Sequence, residues 1–496
     1  MLSLAAILET SARDRPDKAA IVQGPARISY RELDERAQAV AVDLAGRGIG
    51  PGDVVALACP NVPAFPVFYF GVLKAGATVL PVSILLKRDE MAYLLNDSGA
   101  KALVCHEGSA ELPLGEVGRA AFGDAPACEH FIEADAPVAE ASFDTVQRGP
   151  DEVAVVLYTS GTTGRPKGAM LTHSNLLMNA EICVELGEVR PEDVVLVALP
   201  LFHVFGQVVQ MLAAFRKAAT MVLAPRFEPG LCLGLMESEK VTLFSGVPTM
   251  LWALLTYPDA EKHDLAAIAS SLRQVTVGGA STPVEILRGF EKKFDVTVLE
   301  GYGLSETSPG VSFNRRDRER KVGSVGLPVW GVEVQVVDPE DNPVPAGEPG
   351  EVVVRGHCVM KGYLGRPEET AEALRGGWFH TGDIGRFDED GYLYIVDRLK
   401  EMIIRGGFNV YPREVEELLA THPGISLAAV VGVPDEQYGE EVKAFVVPVA
   451  GANPEPEAIV AWARERLAGY KYPRIVELRE SLPLGATGKI LKRDLN

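Results

Sequence analysis

An unbroken apolar run, Val153 to Leu157, is followed by "TSGTTGRPKG", after which apolar positions return at helical spacing from Thr172 to Leu186. The run reads as a buried strand and the later segment as a helix with a Thr/Ser start, so the stretch between them is expected to be a loop. Strand-like runs alternate with helical ones as far as about residue 320: "DVVALACP", "ALVCH", "VAVVLYTS", "ATMVLAP", "VTLFSGVP" and "QVTVGGA". That alternation predicts a parallel α/β sheet covered by helices. From about 321 to 396 the texture shortens to "VEVQVVD", "GEVVVRG" and "GYLYIVD", separated by Pro/Gly/Asp turns, which predicts antiparallel hairpins in a small barrel or sheet. From about 400 the helices "PREVEELLATH" and "PEAIVAWARERL" bracket the strands "LAAVVGV" and "VKAFVVPV", a small α+β domain. The charged segment "DRLKE", 397 to 401, is the expected boundary.

Length and charge narrow the function. A chain of 496 residues has room for several packing units. Its formal charge of −20 argues against an extended nucleic-acid surface but leaves room for a local anion site. The six cysteines are scattered without a CxxC pair, which predicts reduced, buried thiols and no zinc site. "MLSLAAILETSARDRP" has no basic leader and reads as a short amphipathic helix. The most apolar window, "VALPLFHVFGQVVQMLAAF", is interrupted by His203, Gly206, Gln207 and Gln210, as expected of a buried core helix and not of a membrane span. A cytoplasmic protein without a transmembrane segment, monomeric or homodimeric, is expected.

The loop carries the first chemistry. Gly161, Gly164 and Gly168 let backbone N–H groups approach a ligand, Thr159, Ser160, Thr162 and Thr163 add hydroxyls, and Lys167 adds a positive charge. This is a cradle for phosphate oxygens. It is not a Walker A loop, because Gly168 and not Ser or Thr follows Lys167.

"YTSGTTGRPKG" resembles the signature of the adenylate-forming superfamily of acyl-CoA synthetases, carrier-protein-charging adenylation domains and beetle luciferases. "GYGLSET" (301 to 307), "WFHTGD" (378 to 383), "YIVDRLKEMIIRGGFNVYPREVEE" (394 to 417) and "LPLGATGKILKRDL" (482 to 495) fit in the family's order and span nearly the whole chain. The resemblance implies an α/β fold: a large N-terminal region of two α/β subdomains plus a small β-barrel, residues 1–399, and a mobile α+β C-terminal domain, residues 400–496. It also implies ATP, Mg²⁺ and CoA as cofactors.

The roles follow motif by motif. The ring of Tyr302, between Gly301 and Gly303, suits stacking on a flat base, and Glu300 precedes it in the same motif. Glu306 is an acid close to a phosphate loop, which calls for a cation between them; the resemblance makes it a Mg²⁺ ligand with Thr159 nearby. Ser305 replaces the more usual Thr and keeps a hydroxyl for the α-phosphate. Gly279, Ala280 and Ser281 in "VGGAST" are implied to line the adenine site and the neck of the acyl pocket. A carboxylate such as Asp383 can accept from two vicinal ribose hydroxyls, and the resemblance adds Arg398 at the ribose and Lys400 at the hinge. Lys489 in "ATGK" is implied to enter the site and bind both the acid and the α-phosphate, where a cation lowers the barrier between two anions. Leu484 stands where the family more often has Arg. Lys489, Glu306 and Lys167 are thus the expected catalytic residues, with Gly406 and Gly407 of "RGGFN" expected beside a pantetheine channel.

For the acid, His203, Val204, Phe205, Val209, Gly279 and Pro309 are implied to line the pocket, and Val208 and Met211 are read as part of the same surface. Amino-acid-activating relatives place an Asp at the position of His203, so a substrate ammonium would be unpaired here. Leu199 to Phe215 holds no Arg or Lys, which leaves no partner for a distal carboxylate. An apolar acid is the expected substrate. A fatty acid is favoured, an aryl acid also suits, and a carrier protein is the alternative acceptor to CoA.

Overall fold

Thr172 ends one element and begins the next. Its Oγ1 accepts from Asn175 N at 3.1 Å while its own N donates to Asn175 Oδ1 at 2.8 Å, a reciprocal cap on the helix His173–Leu186. Asn175 Nδ2 donates onward to His357 O (2.6 Å) and Val359 O (3.1 Å), so the cap also fixes the helix against a distant loop. The expected loop before it is shorter than the sequence suggested. Lys167–Thr172 is a strand that pairs antiparallel with Val153–Thr159, Thr159 lying opposite Lys167. The alternation of "KGAMLT" is too brief to separate from a loop by pattern. This computed structural model describes residues 3–135, 141–159 and 165–495.

Among the described residues there are four sheets. The nine-stranded sheet has a parallel centre, Val298–Gly303, Gln274–Val277, Leu243–Gly246, Val194–Val197, Thr220–Leu223 and Ala19–Gln23 side by side, with antiparallel strands at both edges. The seven-stranded sheet is parallel through Val153–Thr159, Thr78–Val82, Val54–Ala58, Ala100–Cys105 and His130–Glu133. Both strand sets read as near-continuous apolar runs because helices cover both faces. A core containing Tyr30, Phe65, Tyr69, Phe70 and Phe215 joins the two sheets.

The hairpins of 321 to 396 form a four-stranded antiparallel sheet, Val332–Val337, Gly350–Gly356, Phe379–Phe387 and Leu393–Arg398, with two free edges. It is not the expected barrel: alternation specifies strands, whereas closure depends on strand number and stagger. The chain leaves Arg398 through a turn and enters a five-stranded sheet of residues 403 to 478, backed by Pro412–Leu419 and Pro456–Arg464. That sheet has its own core around Val415, Leu419, Val430, Val442 and Ile459. The C-terminal ends of parallel strands in both large sheets, Thr159 and Gly278 among them, open on one cavity of about 2020 Å³, the place where open α/β sheets bind ligands.

Candidate active site

The phosphate-side wall is built at the end of Val153–Thr159. Glu306 Oε1 accepts from Thr159 Oγ1 (3.0 Å) and from Tyr363 OH (3.2 Å), joining three segments at one carboxylate oxygen. Lys167 places its ammonium 5.3 Å from the centre of the Tyr363 ring. Ser160, Gly161, Thr162, Thr163 and Gly164 lie outside the described residues. No cluster of three or more His, Cys, Asp or Glu suited to a metal occurs among the described residues. Glu306 and the Thr159 hydroxyl are hard oxygen donors, the donor type that Mg²⁺ takes when one carboxylate is completed by substrate phosphates and water.

The opposite wall centres on Asp383, 4 % exposed. Its Oδ2 accepts from Tyr302 OH at 2.7 Å and its Oδ1 lies 3.1 Å from Arg398 Nε. Burial pushes this carboxyl above its ordinary value, and Arg398 and Tyr302 pull it back. Asp383 N donates to Thr381 Oγ1 (3.0 Å), which donates to Val352 O (2.7 Å), so the hairpin fixes the carboxylate's position.

Lys489 completes the site from the C-terminal side. Its turn is closed by Gly485 N to Lys489 O (2.7 Å), and Thr249 Oγ1 donates to Gly488 O (2.6 Å). Trp252 Nε1 donates to Ser426 Oγ at 3.1 Å, a second bond between the nine-stranded region and the C-terminal sheet's unit. Gly279 has φ +81°, and a Cβ there would lie 3.1 Å from Lys489 Cε, so a glycine is what lets the lysine pass. Burial, and then Arg398, push Lys489 down to about 8; Asp383 and Glu306 oppose this.

Toward the acid, His203 is held neutral, pushed down to about 3 by burial and then by Lys489. Its Nδ1 accepts from Phe205 N (3.2 Å), which leaves the proton on Nε2 as a donor. Phe205–Leu212 is a π-helix, a rare form that is frequent at functional sites. Val204, Phe205 and Val209 line the cavity, together with Gly279, Ala280, Ser281, Gly301, Tyr302, Gly303, Ser305, Pro309 and Lys400. Val208 and Met211 do not: both are wholly buried in the core between the sheets.

Three expected residues are away from the cavity. Glu300 is 4 % exposed and accepts from Gly323 N at 3.0 Å; burial pushes it up to about 7. Its partner is the Gly323 backbone on a separate loop, which the short motif around Tyr302 does not reveal. Gly406 and Gly407 form the tip joining Ile403–Arg405 to Phe408–Val410, at φ +57° and +84°, as a two-residue hairpin with both central residues left-handed requires. They are not among the residues that line the cavity, and a Cβ on Gly407 would meet open space. Thr249 and Tyr363 were missed; each acts through a partner far along the chain, Gly488 and Glu306, which spacing cannot reveal.

The family model described as AMP-binding enzyme matches residues 8–364, and the AMP-binding enzyme C-terminal domain matches residues 414–489. A feruloyl-CoA synthase from Amycolatopsis sp is 42% identical over 489 residues, covering 98% of this chain and 96% of that protein. A long-chain-fatty-acid–CoA ligase from Bacillus subtilis (strain 168) is 37% identical, covering 99% of this chain and 94% of that one. The crystal structure of the anthranilate CoA ligase AuaEII in complex with anthranoyl-AMP superposes with a TM-score of 0.92 at 29% identity, covering 99% of this chain and 96% of the other.

Proposed function

The chain belongs to the AMP-binding enzyme family, and from that premise we propose that it is an AMP-forming acid–CoA ligase acting on an acid with an apolar body. The observation that carries this reading is the convergence of Lys489, Asp383 and Glu306 on one cavity that also contains an apolar acid-side channel. In the first step a carboxylate oxygen attacks the α-phosphorus of ATP and the bond to pyrophosphate breaks. Lys489 lies between the two anions, and the neutral His203 donates from Nε2 toward the acid. Thr159 and Glu306 would hold Mg²⁺, which supplies positive charge to the phosphate oxygens, and Lys167 adds a second cation beside them. Asp383 and Arg398 receive the ribose, with Tyr302 beside the base. In the second step the CoA sulfur attacks the acyl carbon and the bond to AMP breaks.

The two steps need different surroundings. We assign the change to rotation of residues 400–496 about Lys400 relative to 1–399, which would withdraw Lys489 and bring the Gly406–Gly407 hairpin toward the thiol route. The structure's orientation, with Lys489 seated, suits the first step. The relatives' names include both fatty and aryl acids, which supports an acid with an alkyl or aryl body without choosing between them. An acid panel with ATP tests the reading by pyrophosphate release. One equivalent without CoA and sustained release with CoA are expected. Sustained release only with a carrier protein whose phosphopantetheine thiol is free would make the enzyme a carrier-loading one, and release with no acid would remove the assignment.

A further inference from the structure

The acid-side channel has a polar floor. Gln210, on the π-helix, is wholly buried and packs into the cavity wall, its amide directly behind the surface. Its Nε2 donates to Leu196 O (3.0 Å) and Ser245 O (3.2 Å). Two carbonyl partners fix which end of the amide is nitrogen, and Oε1 is left without a hydrogen-bond partner. Gln274, 2 % exposed and also lining the cavity, has an unpartnered Oε1 as well. Ser245 and Thr276, opposite each other on adjacent parallel strands, line the same space.

The sheet sets the depth of these groups. Gly278 marks the neck, where a Cβ would lie 3.6 Å from the Phe205 ring. At about 3.3 Å per residue, Thr276 and the Gln210 amide lie about 7 Å below the neck and Gln274 about 13 Å. Buried acceptors without partners are costly, and an acid with no polar group would leave them so. A ring joined to its carboxylate directly or by a short spacer carries its far substituent to the first of these levels. It would also lie beside Phe205, with which it can stack.

Resting on the reading of the chain as an acid-activating enzyme, we propose that its acid is a hydroxyaryl acid whose ring hydroxyl donates to Gln210 Oε1. Gln210 is then a specificity-determining residue, with Thr276 beside it. A site that hydrogen-bonds a substrate hydroxyl rejects the analogue lacking it. The test compares kcat/KM, by pyrophosphate release, for a para-hydroxyaryl acid, the same acid without its hydroxyl, and a straight-chain fatty acid. The wild-type enzyme is expected to favour the hydroxyaryl acid over its unsubstituted analogue by about ten- to hundredfold. Gln210→Met should bring that ratio toward one through KM. Thr276→Val, which leaves the Gln210 bonds intact, should lower it by severalfold and keeps the test available if the first variant fails to fold. Equal use of the hydroxylated and unsubstituted acids by the wild-type enzyme overturns the proposal while leaving the acid-activating reading in place, as does preference for the fatty acid. Release of pyrophosphate with none of the acids overturns both.

Discussion

The end of this cavity that we assign to the nucleotide and the channel that we assign to the acid are built on opposite terms. At the nucleotide end the two carboxylates are already paired within the protein: Asp383 with Tyr302 and Arg398, Glu306 with Thr159 and Tyr363. In the channel the polar groups Gln210 and Gln274 keep acceptors unpaired. Paired groups hold their geometry before substrate arrives, which is what transition-state stabilisation needs. Unpaired groups discriminate, because only the acid that completes them avoids the penalty. Changes at the first end should therefore slow every acid alike, and changes at the second should alter the ranking of acids.

The largest effect is expected at Lys489. Lys489→Ala should lower acyl-AMP formation by about a hundredfold or more for every acid tested, the scale of a lost transition-state charge contact. Conversion of supplied acyl-AMP and CoA to thioester should survive. Measuring the two half-reactions separately checks this, and an equal loss in both with the fold intact would break the assignment to one step. Glu306→Gln is expected to cost roughly ten- to hundredfold in acyl-AMP formation, as when a metal site loses a supporting group, and to shift the Mg²⁺ titration to higher concentration. An unchanged titration removes Glu306 from the metal site.

A pH profile sharpens the same side. With its pKa pushed down to about 8, Lys489 is a cation below that pH and neutral above it. The first half-reaction should fall as pH rises through about 8, about tenfold per unit beyond it for a single required proton, and by the same factor for all acids. The second half-reaction should lack this limb. The smallest effect is expected from Val209→Phe in the channel: a severalfold change in the ratio of kcat/KM between long and short acids, with KM for ATP unchanged, the scale of added bulk in an apolar pocket. A changed KM for ATP would blur the boundary between the two ends.

The two ends also differed in how well they could be read. The nucleotide end was legible because its residues lie in short motifs, "GYGLSET", "HTGD" and "ATGK", whose order along the chain is itself a signal. Thr249 and Tyr363 belong to the same end but were not legible, since their partners are Gly488 and Glu306. In the channel, helical spacing grouped Val208 and Met211 with the lining residues. The π-helix changes the angular spacing, so that Phe205 and Val209 face the cavity while Val208 and Met211 face the core. Gln210 read as an interruption of an apolar helix; its meaning depends on carbonyls of two other strands. The sheets were visible as runs of apolar residues, but the edge partners Lys167–Thr172 and Gly362–Tyr363 were not, being too short for a period.

The central claim is that both ends serve one reaction through an acyl-adenylate, and the fate of a carboxylate oxygen tests it most directly. An acid labelled with heavy oxygen in its carboxylate is turned over with ATP and CoA, and the products are weighed by mass spectrometry. Attack on the α-phosphorus followed by thiol attack on the acyl carbon leaves one labelled oxygen in AMP and none in pyrophosphate. Label in pyrophosphate or inorganic phosphate, or AMP without label, would contradict the account.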